Sequence, residues 1–232
     1  MTEMYEGVGS VNDGRLQWPE EDRPVDSREV GVGPWPGGEA QWPDDPRLDP
    51  ELLANGDQRN VVDRFRYWRV DAIKKELERS AHPLHVAIEN LSQDFNIGSI
   101  VRTANAFNVG GVHIVGKRRW NKRGAMVTNR YLRVYHHETP AEMLAWAREH
   151  GLTPVAIDNG PGSELIETAQ IPEHCLLVMG SEREGISEEF LAGCKGLLRI
   201  GQYGSTRSIN VAAAGAIAMH SWMLQHAGEA PD

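Results

Sequence analysis

Cysteine is scarce in this sequence, with only Cys175 and Cys194 among 232 residues. The two stand far apart and form no CxxC pair, so neither a disulfide framework nor a zinc site is expected, and buried reduced thiols remain. Apolar runs are short as well, and none approaches the length needed to cross a bilayer. The first residues, MTEMYEGVGS, lack a basic start and an apolar core. No signal peptide is expected there, and the cytoplasm is the expected compartment. The phosphate-cradling GxxxxGK[ST] is missing, and no glycine fingerprint follows the first strand of the body, which argues against a dinucleotide dehydrogenase.

Positive charge also looks scarce, since the net charge is −9, but the deficit is local. Residues 1–58 hold 14 acidic and 4 basic side chains, and the remainder holds 19 and 20. The body is therefore balanced and has room for basic patches that the global figure conceals.

Residues 1–58 are rich in Gly, Pro and acid, poor in aliphatic periodicity, and read as a disordered tail. Trp-Pro pairs recur at Trp18, Trp35 and Trp42, either as short docking anchors or as incidental tail residues. Over 59–80, Val61, Phe65, Trp68, Ala72 and Leu77 share one face among many Arg and Lys, predicting a basic amphipathic helix. Such a helix is either packed with a solvated basic face or an RNA contact.

From residue 84 a βα rhythm begins. Strands are expected over 84–88, 112–115, 132–135, 154–157, 176–179 and 197–200. Helices are expected over 97–107, 141–150, 187–192 and 208–225, the second closed by Gly151. Alternating elements of this kind predict an α/β fold, a parallel sheet with helices on both faces.

Ligands in such sheets bind at the carboxyl ends of strands. Three segments there carry chemistry. Asn96-Ile-Gly-Ser-Ile-Val-Arg102-Thr places Arg102 off the apolar stripe of its helix, with Asn96 at the N-cap position. Gly180-Ser-Glu-Arg-Glu-Gly-Ile-Ser187 has glycines that let backbone approach a ligand, and Glu182 suits a helix N-terminus. Gly201-Gln-Tyr-Gly-Ser-Thr-Arg-Ser208-Ile-Asn210 is a long loop running into a helix of small residues.

Each motif is weak alone, but their order resembles the three signatures of the SpoU/TrmH (SPOUT) family of RNA 2′-O-ribose methyltransferases. The first, N-x-G-x-x-x-R-T, is matched by Asn96, Gly98, Arg102 and Thr103. The second, G-[SA]-E-x-x-G-[ILM]-S, is matched by Gly180, Ser181, Glu182, Gly185, Ile186 and Ser187. The third is matched by Ile200, Gly204, Ser208, Asn210 and Val211. The resemblance spans 84–226. Gly201-Gln202 replaces the family's usual Pro-Met, and Ile209 its Leu.

The resemblance implies a trefoil-knotted SPOUT domain behind an N-terminal extension, a homodimer, and S-adenosyl-L-methionine as the methyl donor. It implies methylation of a ribose 2′-hydroxyl in tRNA or rRNA, without a metal or a membrane. Arg102, Asn96, Glu182, Ser208 and Asn210 would serve catalysis, and Gly180, Ile200, Gln202, Ser208 and Ile209 would hold the cofactor. The alternative is a non-catalytic RNA-binding or assembly protein on the same fold. For RNA contact, residues 117–133 carry seven Lys or Arg and no acid, with Trp120 and Tyr131 between them. Arg118, Arg119, Lys122 and Arg123 are the candidates, with Arg207 beside the third motif.

Overall fold

The computed structural model describes residues 10–12, 15–17, 31–89, 94–181 and 185–229. The chain divides into two compact units, Met1–Arg69 and Val70–Asp232.

In the first unit, strands β1 (Ser10–Asn12) and β2 (Arg15–Gln17) pair antiparallel. Helix α1 (Pro50–Asn55) starts on Asp49, whose side chain accepts from the Glu51 N–H, with proline in its first turn. At the centre Asp57 is fully buried. It accepts from the backbone N–H groups of Arg59 and Tyr67 and from the Arg59 guanidinium at 2.6 Å. Burial pushes the Asp57 carboxyl up, but the Arg59 and Tyr67 bonds outweigh it and hold the group below its ordinary value. The same bonds hold Tyr67 at φ 61°, a left-handed conformation costly for a tyrosine. Trp35 meets Tyr67 edge-on at 5.3 Å, and the Arg47 guanidinium lies 4.2 Å from the Trp68 ring centre.

Two expectations need correction here. The disorder expected over 1–58 is not seen over residues 31–58, because Asp57 and the aromatic pairs order that part without aliphatic periodicity. Residues 1–9, 13–14 and 18–30, including Trp18, lie outside the described residues. The helix expected over 59–80 is confined to α2 (Val70–Arg79). Residues before it form a 3-10 turn, Asp63–Phe65, and then the left-handed Tyr67, which no α-helix accommodates.

The second unit is built on seven parallel strands: β3 (His82–Glu89), β4 (Val109–Val115), β5 (Val134–His137), β6 (Thr153–Ile157), β7 (Glu164–Leu165), β8 (Cys175–Met179) and β9 (Gly196–Arg199). Their order across the sheet is β5-β4-β3-β8-β6-β9-β7. Every neighbouring pair is parallel. The helices are α3 (Asp94–Ala106), α4 (Pro140–Glu149), α5 (Glu188–Gly193) and α6 (Val211–His226).

Period-two alternation sorts the strand side chains onto two cores. Leu84, Val86, Ile88, Leu177 and Met179 pack with α3 and α6. Ala87, Leu176 and Val178 pack with Met143 and Ala147 of α4 and Phe190 of α5. Helices therefore cover both faces, as the alternating pattern predicts. Close packing uses two glycines: a Cβ on Gly98 would lie 2.7 Å from Gly124 Cα, and one on Gly215 would lie 2.8 Å from Met179 Sδ. Cys175 and Cys194 are free, and burial pushes their thiols up to about 12 and about 11. Such thiols stay protonated and unreactive at neutral pH.

Some boundaries differ from the sequence reading. Helix α3 begins at Asp94, so Asn96 stands within its first turn instead of capping it. Helix α6 begins at Val211 because Asn210 caps it, accepting from the Ala212 and Ala213 N–H groups, which leaves Ser208 and Ile209 in the loop. Strand β5 starts two residues later than expected. The exposed two-residue β7 has no apolar pattern that would announce it.

Candidate active site

The chain ends of β6, β8 and β9 lie side by side at one edge of the sheet, and a cavity of about 610 Å³ opens between them and the start of α6. Gly180 directly follows β8. A Cβ there would sit 2.1 Å from the carbonyl carbon and oxygen of Gly185, so the returning loop leaves room only for glycine. Ser181 and Gly185 exchange two backbone hydrogen bonds of 3.0 Å, with Gly185 at φ 70°. The far end of that loop is pinned twice. Ser187 caps α5 by accepting from the Phe190 N–H, and its own N–H donates to Glu89 Oε2 at 2.9 Å.

After β9, the Gly201 N–H donates to Glu167 Oε1 at 2.8 Å, which fixes the start of the third-motif loop. Further along, Asn159 Nδ2 donates to the Arg207 carbonyl at 3.0 Å. Gln202 lines the cavity, and its Oε1 is buried with no hydrogen-bond partner among the described residues. The first motif is tied to the third by Asn210 Nδ2 donating to Asn96 Oδ1 at 2.9 Å. Asn96 is itself buried.

Of the residues expected to hold a cofactor, Gly180, Ile200, Gln202, Ser208 and Ile209 all line this one cavity. Among the residues expected to serve catalysis, Ser208 and Asn210 line it and Asn96 adjoins it through Asn210. Arg102 does not line it; the residue stands exposed on α3. Glu182 lies outside the described residues. The sequence reading missed Asp158 and Asn159, which follow β6 and line the cavity, and the buried Glu89 at the end of β3. A polar pair between a buried strand and Gly160-Pro161 was the available signal for the first two.

Three of the expected RNA contacts, Arg118, Arg119 and Lys122, line a second cavity of about 640 Å³ beside β5. Arg123 is exposed in the adjoining 3-10 turn, and Arg207 is exposed in the third-motif loop. Of the basic residues over 117–133, Arg133 pairs with Glu78 at 3.0 Å. No other cation of that segment makes an ion pair among the described residues.

The model of the SpoU rRNA Methylase family matches residues 83–220. An uncharacterized tRNA/rRNA methyltransferase of Synechocystis is 28% identical over 195 residues, 78% of this chain and 49% of that protein. The tRNA (guanosine(18)-2′-O)-methyltransferase of Escherichia coli K12 is 26% identical over 163 residues, covering 69% of this chain and 70% of the relative. Among solved structures, the AdoMet-bound rRNA methyltransferase of Sinorhizobium meliloti superposes with a TM-score of 0.57 at 26% identity, over 63% of this chain and 59% of that one. The chain thus spans about half the length of the Synechocystis relative.

Proposed function

Because the chain belongs to the SpoU rRNA methylase family, we propose that it transfers a methyl group from S-adenosyl-L-methionine to a ribose 2′-hydroxyl of tRNA or rRNA in the cytoplasm. The observation that carries the proposal is convergence. The second and third motifs, each weak alone, meet on the wall of one cavity with the residues that follow β6, and the first motif reaches it through the Asn96–Asn210 bond. No helix among the described residues is long and apolar enough to cross a membrane.

The residues present fit the cofactor. The cavity falls within the roughly 300–1,000 Å³ of small-molecule sites. Ile157, Ile200, Ile209 and Val211 supply apolar contact for a nucleoside, and Gly180 allows close approach of backbone. The Asp158 carboxylate suits a ligand that carries positive charge. The unpartnered Gln202 Oε1 is an acceptor waiting for a donor such as an exocyclic amine. When bound, the cofactor supplies an electrophilic methyl on a sulfonium. The protein's part is to align the hydroxyl and to stabilise charge developing on its oxygen. Arg102 takes the second role, because a guanidinium is never deprotonated and cannot act as a base. The RNA phosphate receives the proton.

The active unit is a homodimer. On α6, Ile217 is 40% and Leu224 74% exposed, an apolar face that a second copy would cover. Arg102 is exposed on α3, which packs against α6, so the same association would carry it to the partner's cavity. The threading of the C-terminal segment into a knot is supported by β9, which is inserted between β6 and β7, two strands that precede it in the chain.

Incubation with methyl-labelled cofactor and total tRNA or rRNA, followed by nucleotide mapping, tests the proposal. Label on a ribose 2′-oxygen is expected. Binding of cofactor and RNA without transfer would instead favour a non-catalytic assembly protein. Gln202→Leu removes one hydrogen bond to the cofactor and should weaken its binding by roughly two- to tenfold. The free protein should not lose thermal stability, since a buried unpaired carbonyl disappears. Unchanged affinity by calorimetry would exclude Gln202 as a cofactor contact.

A further inference from the structure

Among the described residues, the second cavity shares no lining residue with the first. Its apolar floor is Ile114, Leu132 and Val134. Trp120 and Tyr135 add aromatic surface, Asn129 and His136 add hydrogen-bonding groups, and Arg118, Arg119 and Lys122 add charge. Among the described residues, no carboxylate lines it. It opens beside β5, an edge strand of the sheet, so no further strand among the described residues closes that side.

We propose that this cavity captures one unstacked nucleotide of the RNA substrate, its base against Trp120 and its phosphate on the Arg118, Arg119 and Lys122 cluster. The proposal rests on the reading of the protein as an RNA methyltransferase. The captured nucleotide is distinct from the one methylated, which must reach the cofactor cavity.

Four features favour a nucleotide over other ligands. An aromatic face next to cations matches a base joined to a phosphate, and stacking accepts any of the four bases. The Asn129 amide offers both a donor and an acceptor, and no partner occupies it among the described residues. His136 Nε2 lies 2.8 Å from the Gly116 carbonyl oxygen, so it must donate there, and in the neutral ring Nδ1 is left as an acceptor. These two side chains can therefore meet the Watson–Crick edge of a base, which is taken up by the partner strand in a duplex. Finally, a peptide occupant would have to bring several carboxylates together with an aromatic group, whereas a nucleotide carries both functions in one unit. RNA is read mostly through such unstacked bases, since the deep groove of its duplex excludes side chains.

The test compares a single-stranded RNA decamer with a paired RNA duplex of the same composition, using the full chain. The wild type should prefer the single strand. Trp120→Ala should weaken single-strand binding roughly five- to hundredfold, the range for losing one stacked base. Trp120→Phe should keep most of it. Duplex binding and cofactor affinity should stay within twofold in both variants. Asn129→Ala, which leaves the Trp120 packing intact, should weaken single-strand binding roughly two- to tenfold. The test on Asn129→Ala holds even if Trp120→Ala fails to fold.

The proposal is overturned if the wild type methylates RNA while Asn129→Ala and Trp120→Phe bind the single strand like the wild type and any folded Trp120→Ala does too. It is also overturned if replacing Arg118, Arg119 and Lys122 is the only change that matters and weakens strand and duplex equally, because then the patch is electrostatic alone. A wild type that binds cofactor but neither RNA defeats the methyltransferase reading itself, and this proposal with it.

Discussion

Arg102→Ala should leave the fold and cofactor affinity intact and lower methyl transfer by about two to three orders of magnitude, the scale for losing one charge-stabilising donor. The side chain is exposed and makes no hydrogen bond or ion pair among the described residues, so its removal opens no cavity and strands no partner. Its absence from the cavity wall makes a second arm informative. If Arg102 serves the partner's cavity, mixing Arg102→Ala subunits with subunits whose cofactor loop is blocked by Gly180→Val should restore activity. About a quarter of the wild-type rate is expected, since half of the dimers are mixed and each holds one working site. No recovery in mixed dimers would place Arg102 at its own subunit's site. A rate near wild type for Arg102→Ala alone would remove it from the mechanism.

The separation between Arg102 and the cavity shows where sequence reading stops. The strands were legible because their side chains alternate onto two apolar faces, as in Val86, Ala87 and Ile88 of β3. The cavity was legible through its glycines and its position after buried strands, and Gly180 is required there by the Gly185 backbone. Residues such as Glu89 were not legible. Glu89 binds the Ser187 N–H across 98 positions of sequence, and only the β3–β8 pairing makes that contact local. Asp57 was misread for a related reason. In composition it counts as one more acid in an acidic stretch, whereas in the fold it is the fully buried acceptor that organises its unit.

The same limit hid a chain of histidines with a large consequence for stability. His85, His113 and His137 stand 28 and 24 residues apart, and the order β3-β4-β5 brings them into line. His85 Nδ1 lies 2.9 Å from His113 Nε2, and His113 Nδ1 lies 2.9 Å from His137 Nε2. Trp146 of α4 covers them, 4.4 Å from the His113 ring centre, with His150 stacked on its other neighbour side at 3.7 Å from Trp146.

Burial pushes His85 down to about 4 and His113 down to about 2, and neighbouring basic groups add to it: His150 and Arg133 for His85, then His85, His137 and His150 for His113. His137 and His82 are lowered by burial too, although Glu142 opposes the shift at His137. The sign follows directly. Below about pH 6.5 the unfolded chain takes up protons that these folded rings refuse, so stability falls as pH drops, down to about 4 for His85 and lower for His113. At pH 5 each of those two rings costs about 2 kcal/mol at roughly 1.4 kcal/mol per pH unit, about 4 kcal/mol together. The lowered carboxylates Asp45, Asp57 and Glu78 do not confuse the reading, since their contribution is lost only as pH falls further, from about 4 downward. Urea denaturation at pH 7.5 and at pH 5 should show this loss, and His113→Gln should flatten the dependence by about one proton. Equal stability at the two pH values would mean that the chain carries charge when folded, and the neutral, aligned histidines inferred from its burial would be wrong.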